Sequence, residues 1–166
     1  MSVNKYEMKE GLFFKFEEDF VESNIRCIPM IVRFKLDACG IKLKLTEWSR
    51  MTTEDRVYLS TAPCETEAEI AWYRDHLVGL IAARAGAIAT SIPVSEMPPW
   101  SCLDEIPYTI REKVSESSFE LTLDQWKRLT ELQRFALVKL SNPGHENKNF
   151  PHAMVEFGFA SSAARG

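Results

Sequence analysis

The chain has 166 residues and a formal net charge of -4, with 45% hydrophobic and 27% charged residues. This composition fits one globular domain with its own hydrophobic core. The slightly acidic balance argues against a surface built wholly for nucleic acid. No apolar run approaches the ~20 residues that span a membrane. The first residues are polar and contain no apolar signal core, so we expect a cytoplasmic protein.

Helix signals recur along the chain. Pro29 and Gly40 bracket an apolar-periodic stretch, which predicts a helix between them. Thr66 and Glu69 form a capping-box pattern in front of an apolar stripe. The pattern therefore predicts a long helix from about residue 67 to 84.

A long connection is predicted at about residues 86–106, because prolines interrupt any regular element there. Apolar residues persist in it, so we expect it to lie against the core. They are Ile88, Ile92, Val94, Met97, Trp100 and Leu103. A short helix is predicted at about 107–115, and a frayed tail at about 158–166.

The most informative feature is an internal repeat. Residues 43–59 (LKLTEWSRMTTEDRVYL) align without a gap with residues 121–137 (LTLDQWKRLTELQRFAL). Two rare tryptophans, Trp48 and Trp126, coincide, so chance is a poor explanation. In each segment a short turn carries the tryptophan, and a threonine then begins a second helix. The capping pairs are Thr52 with Asp55 and Thr130 with Gln133.

The sequence thus predicts an all-α fold: a compact, single helical domain over residues 1–166. It contains two similar helix–turn–helix units, at about 43–60 and 121–140, and a long Pro-rich connection. A helix pair cannot bury its apolar face alone, so we expect the two units to share one core.

A polar segment after the second unit is the candidate ligand- or partner-binding site. Its residues are Ser141, Asn142, His145, Glu146, Asn147, Lys148 and Asn149. They suit a pocket for an anion or a partner's backbone. They suit equally a connector whose side chains satisfy local amides. No catalytic residue is assigned, and the spacing of His145, Glu146 and His152 matches no strong metal motif, so we expect no metal and no cofactor.

The matched arginines Arg56 and Arg134 allow two interpretations. They are either a two-fold set of anion-binding guanidiniums or groups that hold each helix pair together. Repeated positions preserve packing more often than chemistry, so the structural interpretation is favoured.

Charge is unevenly distributed along the chain. Residues 25–50 hold six basic side chains against two acids, whereas residues 96–120 hold six acids against two basic side chains. The pattern is typical of ordinary solvated helix faces or of a docking surface for a charged protein. Nucleic-acid binding is disfavoured, because Glu54, Asp55 and Glu131 lie where a helix–turn–helix unit would meet phosphates.

Four stretches carry a resemblance to a known family. They are FEEDF (16–20), RCIPMIVRFKLDACGIKLKL (26–45), LTLDQWKRLTELQRFALVKL (121–140) and SNPGHENKNF (141–150). Together they resemble the nitrate reductase-associated protein family over roughly residues 13–157. The resemblance implies a pathway, nitrate assimilation with molybdenum-cofactor synthesis, and carries no catalytic residue over.

We therefore expect a non-catalytic accessory or adaptor protein with a protein partner, either nitrate reductase or a molybdenum-cofactor protein. One alternative is a sensor that binds a small anion or a pterin. Another is an enzyme of unknown reaction that uses the segment SNPGHENKN. The oligomeric state stays open.

Overall fold

The fold is described by a computed structural model over residues 12–18, 25–142 and 147–160. These residues form eight α-helices and one two-stranded sheet. The predicted all-α class is therefore confirmed. The chain divides into two compact units: unit 1 ends at Val94 and unit 2 begins at Ser95. Each is described by itself, and the single domain over 1–166 stays a prediction.

Unit 1 contains four helices and two short strands. The helices are α1 (Met30–Cys39), α2 (Leu45–Ser49), α3 (Thr53–Thr61) and α4 (Glu67–Ala85). Strands β1 (Ile41–Lys42) and β2 (Thr90–Ser91) pair antiparallel, with Ile41 opposite Ser91. A 3-10 turn, Lys15–Glu17, precedes α1.

Both ends of α1 are fixed by specific groups. The carboxylate of Glu17 is 3% exposed and accepts the Met30 N–H at 3.1 Å, where the helix dipole favours negative charge. At the other end Gly40 has φ 74°, as predicted for a left-handed cap. A Cβ there would lie 2.8 Å from Val94 Cγ2 and 2.9 Å from the Ile92 carbonyl oxygen, so only glycine fits.

Helix α4 is the centre of unit 1. The Thr66 hydroxyl accepts the Glu69 N–H at 3.1 Å, which confirms the predicted capping box. Tyr73, Leu77 and Ile81 lie on one side of α4 at 0% exposure, and this side packs against α1, α2 and α3. The predicted long helix and its apolar stripe are therefore confirmed.

Unit 2 is built around one central helix. Its helices are α5 (Tyr108–Glu116), α6 (Leu123–Arg128), α7 (Glu131–Ser141) and α8 (Phe150–Glu156), with 3-10 turns at Pro99–Ser101 and Asn147–Asn149. Helix α7 contacts α5, α8 and both turns. The largest buried side chains include Ile110, Trp126, Phe135, Leu137 and Phe150.

Both predicted capping boxes of the repeated segments are confirmed. Thr52 accepts the Asp55 N–H at 3.0 Å, and Thr130 accepts the Gln133 N–H at 3.1 Å. Each segment thus holds a short helix followed by a threonine-capped helix, α2 with α3 and α6 with α7. That the two are copies of one unit sharing a core stays a prediction.

The connection at 86–106 lies against buried residues only in part. Ala87 and Ala89 pack on the core of unit 1, and the Trp100 ring lies 4.9 Å from the Phe135 ring in unit 2. Four of its apolar side chains are exposed: Ile88 (94%), Met97 (76%), Val94 (54%) and Leu103 (41%). The backbone anchors it in unit 1, where the Ile92 N–H donates to the Gly40 carbonyl at 2.9 Å. Apolar content therefore predicted burial for part of the connection but not for these four side chains.

Phe159 lies within the segment predicted as a frayed tail. It is 9% exposed, and its N–H donates to the Met154 carbonyl at 2.9 Å. Residues 161–166 lie outside the described residues, and the tail at about 158–166 stays a prediction.

Candidate functional site

The predicted polar site begins with a buried serine. The Ser141 hydroxyl donates to the Val138 carbonyl at 2.8 Å and lies 3.0 Å from Thr109 Oγ1. These contacts connect the end of α7 to α5. Asn142, which follows, is exposed and leaves the helix with ψ 144°. At this end of the segment the observed contacts are those of a connector.

The rest of the segment is only partly described. His145 and Glu146 lie outside the described residues. Residues 147–149 form a 3-10 turn in which Lys148 is exposed and Asn149 is half-buried; only the backbone of Asn147 is described. The binding site at 141–149 therefore stays a prediction, as does the choice between pocket and connector.

Arg56 supports the short helix before it. Its Nη2 donates to the Trp48 carbonyl at 3.1 Å and to the Ser49 carbonyl at 3.3 Å. The guanidinium centre lies 5.5 Å from the Trp48 ring centroid, within range of a cation–π interaction. The residue is 9% exposed. Arg56 therefore adds side-chain donors to carbonyls at the end of α2, of which the Trp48 carbonyl also accepts the Met51 N–H at 3.1 Å.

Arg134 has the matching role in unit 2. Its guanidinium donates to the Leu129 carbonyl and, at 2.7 Å, to the Trp100 carbonyl. It lies 5.9 Å from the Trp126 ring centroid and is 8% exposed. Both arginines thus have the contacts of the structural interpretation. Anion binding by either one stays a prediction.

The matched tryptophans are fully buried and make the same kind of long-range bond. Trp48 Nε1 donates to the Ile25 carbonyl at 3.0 Å, and Trp126 Nε1 donates to the Cys102 carbonyl at 2.8 Å. Each bond ties the repeated segment to chain more than twenty residues earlier. The sequence did not predict either hydrogen-bond partner. Every residue has a backbone carbonyl, so residue type does not show which carbonyl accepts the bond.

Lys35 is a buried cation that sequence reasoning also missed. Its ammonium donates to the Ser60 carbonyl at 2.8 Å and the Ala62 carbonyl at 2.7 Å. It therefore neutralises the carbonyl end of α3. Burial lowers the pKa of Lys35, and the nearby Cys64 and Glu65 partly oppose that shift.

The buried thiols of unit 1 are poor nucleophiles. Burial raises the pKa of Cys64 to about 11 and raises that of Cys39 as well. Because the thiolate is the reactive form, both groups are inert near neutral pH. Burial likewise raises the pKa of Tyr73, whose hydroxyl donates to the Leu59 carbonyl at 2.7 Å.

The surface of unit 1 carries an exposed leucine among cations. Leu45, the first residue of α2, is 64% exposed. Lys42, Lys44 and Arg50 are exposed around it in sequence. The nearest acid, Glu47, is 4% exposed, and it accepts the Lys44 N–H at 2.9 Å. We call Lys42, Lys44, Leu45 and Arg50 the Leu45 surface.

The acids between residues 96 and 120 are all exposed in unit 2. They are Glu96, Asp104, Glu105, Glu112, Glu116 and Glu120. Met97 and Tyr108 are exposed in the same stretch, at 76% and 67%. Each unit therefore presents exposed apolar side chains beside charges of one predominant sign.

Neither a metal-binding cluster nor a membrane-spanning helix occurs among the residues that the structure describes. Within residues 12–18, 25–142 and 147–160, no three His, Cys, Asp or Glu side chains are grouped so as to hold a metal ion. Over the same described part of the chain, no helix combines the length and apolar character needed to cross a membrane.

Comparison with known proteins adds one match. No curated protein and no solved structure is significantly similar to the chain. Residues 13–157 match the family described as conserved nitrate reductase-associated protein. Because this match covers most of its length, the chain belongs to the nitrate reductase-associated protein family.

Proposed function

We propose that the protein is a non-catalytic accessory or adaptor that docks on nitrate reductase or on a molybdenum-cofactor protein through the Leu45 surface. The family's description, association with nitrate reductase, supports a protein partner. The observation that carries the proposal is the 64% exposure of Leu45 beside Lys42, Lys44 and Arg50.

The matched segment in unit 2 makes that exposure informative. Leu45 aligns with Leu123, which is half-buried, and Lys44 aligns with Thr122. Lys42 aligns with Glu120, an acid. The fold of the helix pair therefore does not require an exposed leucine among cations. Binding of a partner is a physical reason for this leucine to be exposed.

The charge of the surface defines the partner's side of the contact. An apolar side chain inserted into a pocket supplies affinity, while surrounding charges steer encounter and fix orientation. The complementary site is an apolar pocket with an acidic rim on the partner. Because rim charges act over about 8 Å at physiological ionic strength, the association should weaken as salt rises.

The test is affinity capture with the full tagged chain from cells of its native host grown on nitrate. We expect recovery of nitrate reductase or a molybdenum-cofactor protein. Lys42→Glu/Lys44→Glu should abolish recovery. Lys127→Glu/Arg128→Glu, two reversals at exposed positions of α6, should leave recovery unchanged and is the matched control.

Two results would count against the proposal. One is capture that recovers no protein of nitrate assimilation or molybdenum-cofactor synthesis. The other is equal recovery by the Lys42/Lys44 variant and the control, which would place the contact elsewhere on the protein.

A further inference from the structure

Unit 2 exposes a tyrosine on the same side of α5 as two acids. Tyr108, the first residue of α5, is 67% exposed, and the exposed acids Glu112 and Glu116 follow it at intervals of four residues. Side chains four residues apart are neighbours on a helix surface, so the three form one row about 12 Å long. Glu105, also exposed, comes three residues before Tyr108. We call Glu105, Tyr108, Glu112 and Glu116 the Tyr108 surface.

The carboxylates of the Tyr108 surface lack partners in their own unit. Over the described part of the chain, those of Glu105, Glu112 and Glu116 make no hydrogen bond and no ion pair. The neighbouring cation Arg111 lies instead over the Tyr108 ring, 5.8 Å from its centroid. Like charges four residues apart destabilise a helix, so cations brought by another surface would relieve a repulsion within α5.

The Leu45 surface of unit 1 has the opposite charge and the same lack of partners. Its cations Lys42, Lys44 and Arg50 are exposed, and among the residues that the structure describes none of them makes an ion pair. Leu45 lies among them at 64% exposure. Each surface therefore combines an exposed apolar side chain with unpaired charges, and the two surfaces are opposite in sign.

We propose that the Leu45 surface binds the Tyr108 surface of a second copy of the chain. The cations of one surface meet the carboxylates of the other, and Leu45 packs on the exposed ring of Tyr108. Complementary charges of this kind orient a contact and speed its formation. Because two different surfaces meet, the contact joins copies head to tail, as a closed dimer that makes it twice or as a longer assembly.

Self-association of this kind regulates docking at the Leu45 surface, and this consequence rests on the proposed function. A copy whose Leu45 surface is covered by a second copy has no such surface left for nitrate reductase or a molybdenum-cofactor protein. A ring on a helix surface encloses less of Leu45 than a pocket does, and enclosed apolar groups contribute most to affinity. The second copy is therefore the weaker occupant, and a partner with a pocket displaces it.

The test is sedimentation equilibrium of the purified full chain at about 1 to 200 μM, a range that suits a weak contact. At low salt the mean mass should rise with protein concentration. At about 1 M salt, where charges act over only about 3 Å, it should stay that of a monomer. No partner is present in this experiment, so its failure is distinguishable from a failure of capture from cells.

Charge reversal tests both surfaces together. Lys42→Glu/Lys44→Glu and Glu112→Lys/Glu116→Lys should each weaken self-association at least tenfold. An equimolar mixture of the two variants should associate again, because the reversed surface of each meets the reversed surface of the other and the two native surfaces also match. All four positions are exposed, so both variants should fold, which circular dichroism checks.

The matched control is Lys127→Glu/Arg128→Glu, at exposed positions of α6. It changes the net charge by the same amount as the Lys42/Lys44 variant and should self-associate like native protein. The proposal is overturned if native protein stays monomeric at low salt, if the control loses as much association as the Lys42/Lys44 variant, or if the mixture of the two charge-reversed variants stays monomeric.

Discussion

Trp48 in unit 1 and Trp126 in unit 2 have similar burial, hydrogen bonding and arginine contacts. Each indole is at 0% exposure, and each donates to a backbone carbonyl far earlier in the chain. Each lies under an arginine eight residues later, Arg56 or Arg134. The matched tryptophans and arginines are therefore the residues that stabilise each helix pair.

The two segments differ at their surfaces. Leu45 is exposed among cations, whereas the aligned Leu123 is half-buried beside Glu120 and Thr122. The comparison separates the residues that both helix pairs need from those that only one pair exposes, and the Leu45 surface, through which we propose docking, belongs to the second set.

The largest effect should come from the tryptophans. Trp48→Ala and Trp126→Ala each remove a fully buried ring and should each cost about 3–5 kcal/mol. Urea unfolding followed by circular dichroism measures this. A loss below about 1 kcal/mol in one unit would mean that the two tryptophans do not have equivalent roles.

The arginines should come next. Arg56→Ala and Arg134→Ala each remove the guanidinium donors from two buried or partly buried backbone carbonyls, at a cost of about 1–3 kcal/mol each. Arg→Lys should recover little of this loss, because an ammonium cannot reproduce the planar fork over the indole. Full recovery by lysine would show that charge alone suffices.

A pH effect should follow from the burial of the Cys64 thiol in unit 1. The pKa of Cys64 is 9.0 in an unfolded chain and is raised to about 11 by burial. Between these values the unfolded state binds fewer protons than the folded state. Stability present below pH 9 should therefore fall as pH rises towards 11, by at most about 1.4 kcal/mol per pH unit.

The measurement for that effect is urea unfolding of native protein and Cys64→Ala at several alkaline pH values. Cys64→Ala should make the decline shallower without removing it, because burial also raises the pKa of Cys39 and of Tyr73. Lys35 has the opposite sign, since burial lowers its pKa and its titration makes stability rise with pH. Equal slopes for the two proteins would assign the alkaline loss to groups other than Cys64.

The smallest stability effect should be at the Leu45 surface. Leu45→Ser changes a side chain that is mostly in water, so it should alter stability by no more than about 0.5 kcal/mol. Leu123→Ser, at the half-buried match, should cost about 1 kcal/mol. Chemical unfolding of both variants tests the contrast, and a larger loss for Leu45→Ser would mean that Leu45 serves packing.

Local signals in the sequence predicted much of the fold. The capping boxes at Thr52, Thr66 and Thr130 and the left-handed cap at Gly40 each depend on neighbouring residues. Such short-range chemistry can be recognised without knowing the tertiary structure. The same holds for the apolar stripe of α4.

The contacts that the sequence did not predict join residues that are far apart along the chain. The carbonyl partners of Trp48 and Lys35, and the cap that Glu17 provides for α1, join residues 13 to 27 positions apart. Exposure of Ile88 was mispredicted, because the backbone pairing of Ile92 with Gly40 holds this part of the connection without burying Ile88. For the arginines the sequence already favoured the structural interpretation, but it did not identify the carbonyls that they contact.

The most direct test of the account is a binding titration of the full chain against purified nitrate reductase and against molybdenum-cofactor proteins. Native protein should bind one of them, and Leu45→Ser/Lys44→Glu should bind it at least tenfold more weakly while unfolding at nearly the same urea concentration. Absence of binding to all of them, or equal affinity of the variant, would contradict an adaptor that acts through the Leu45 surface.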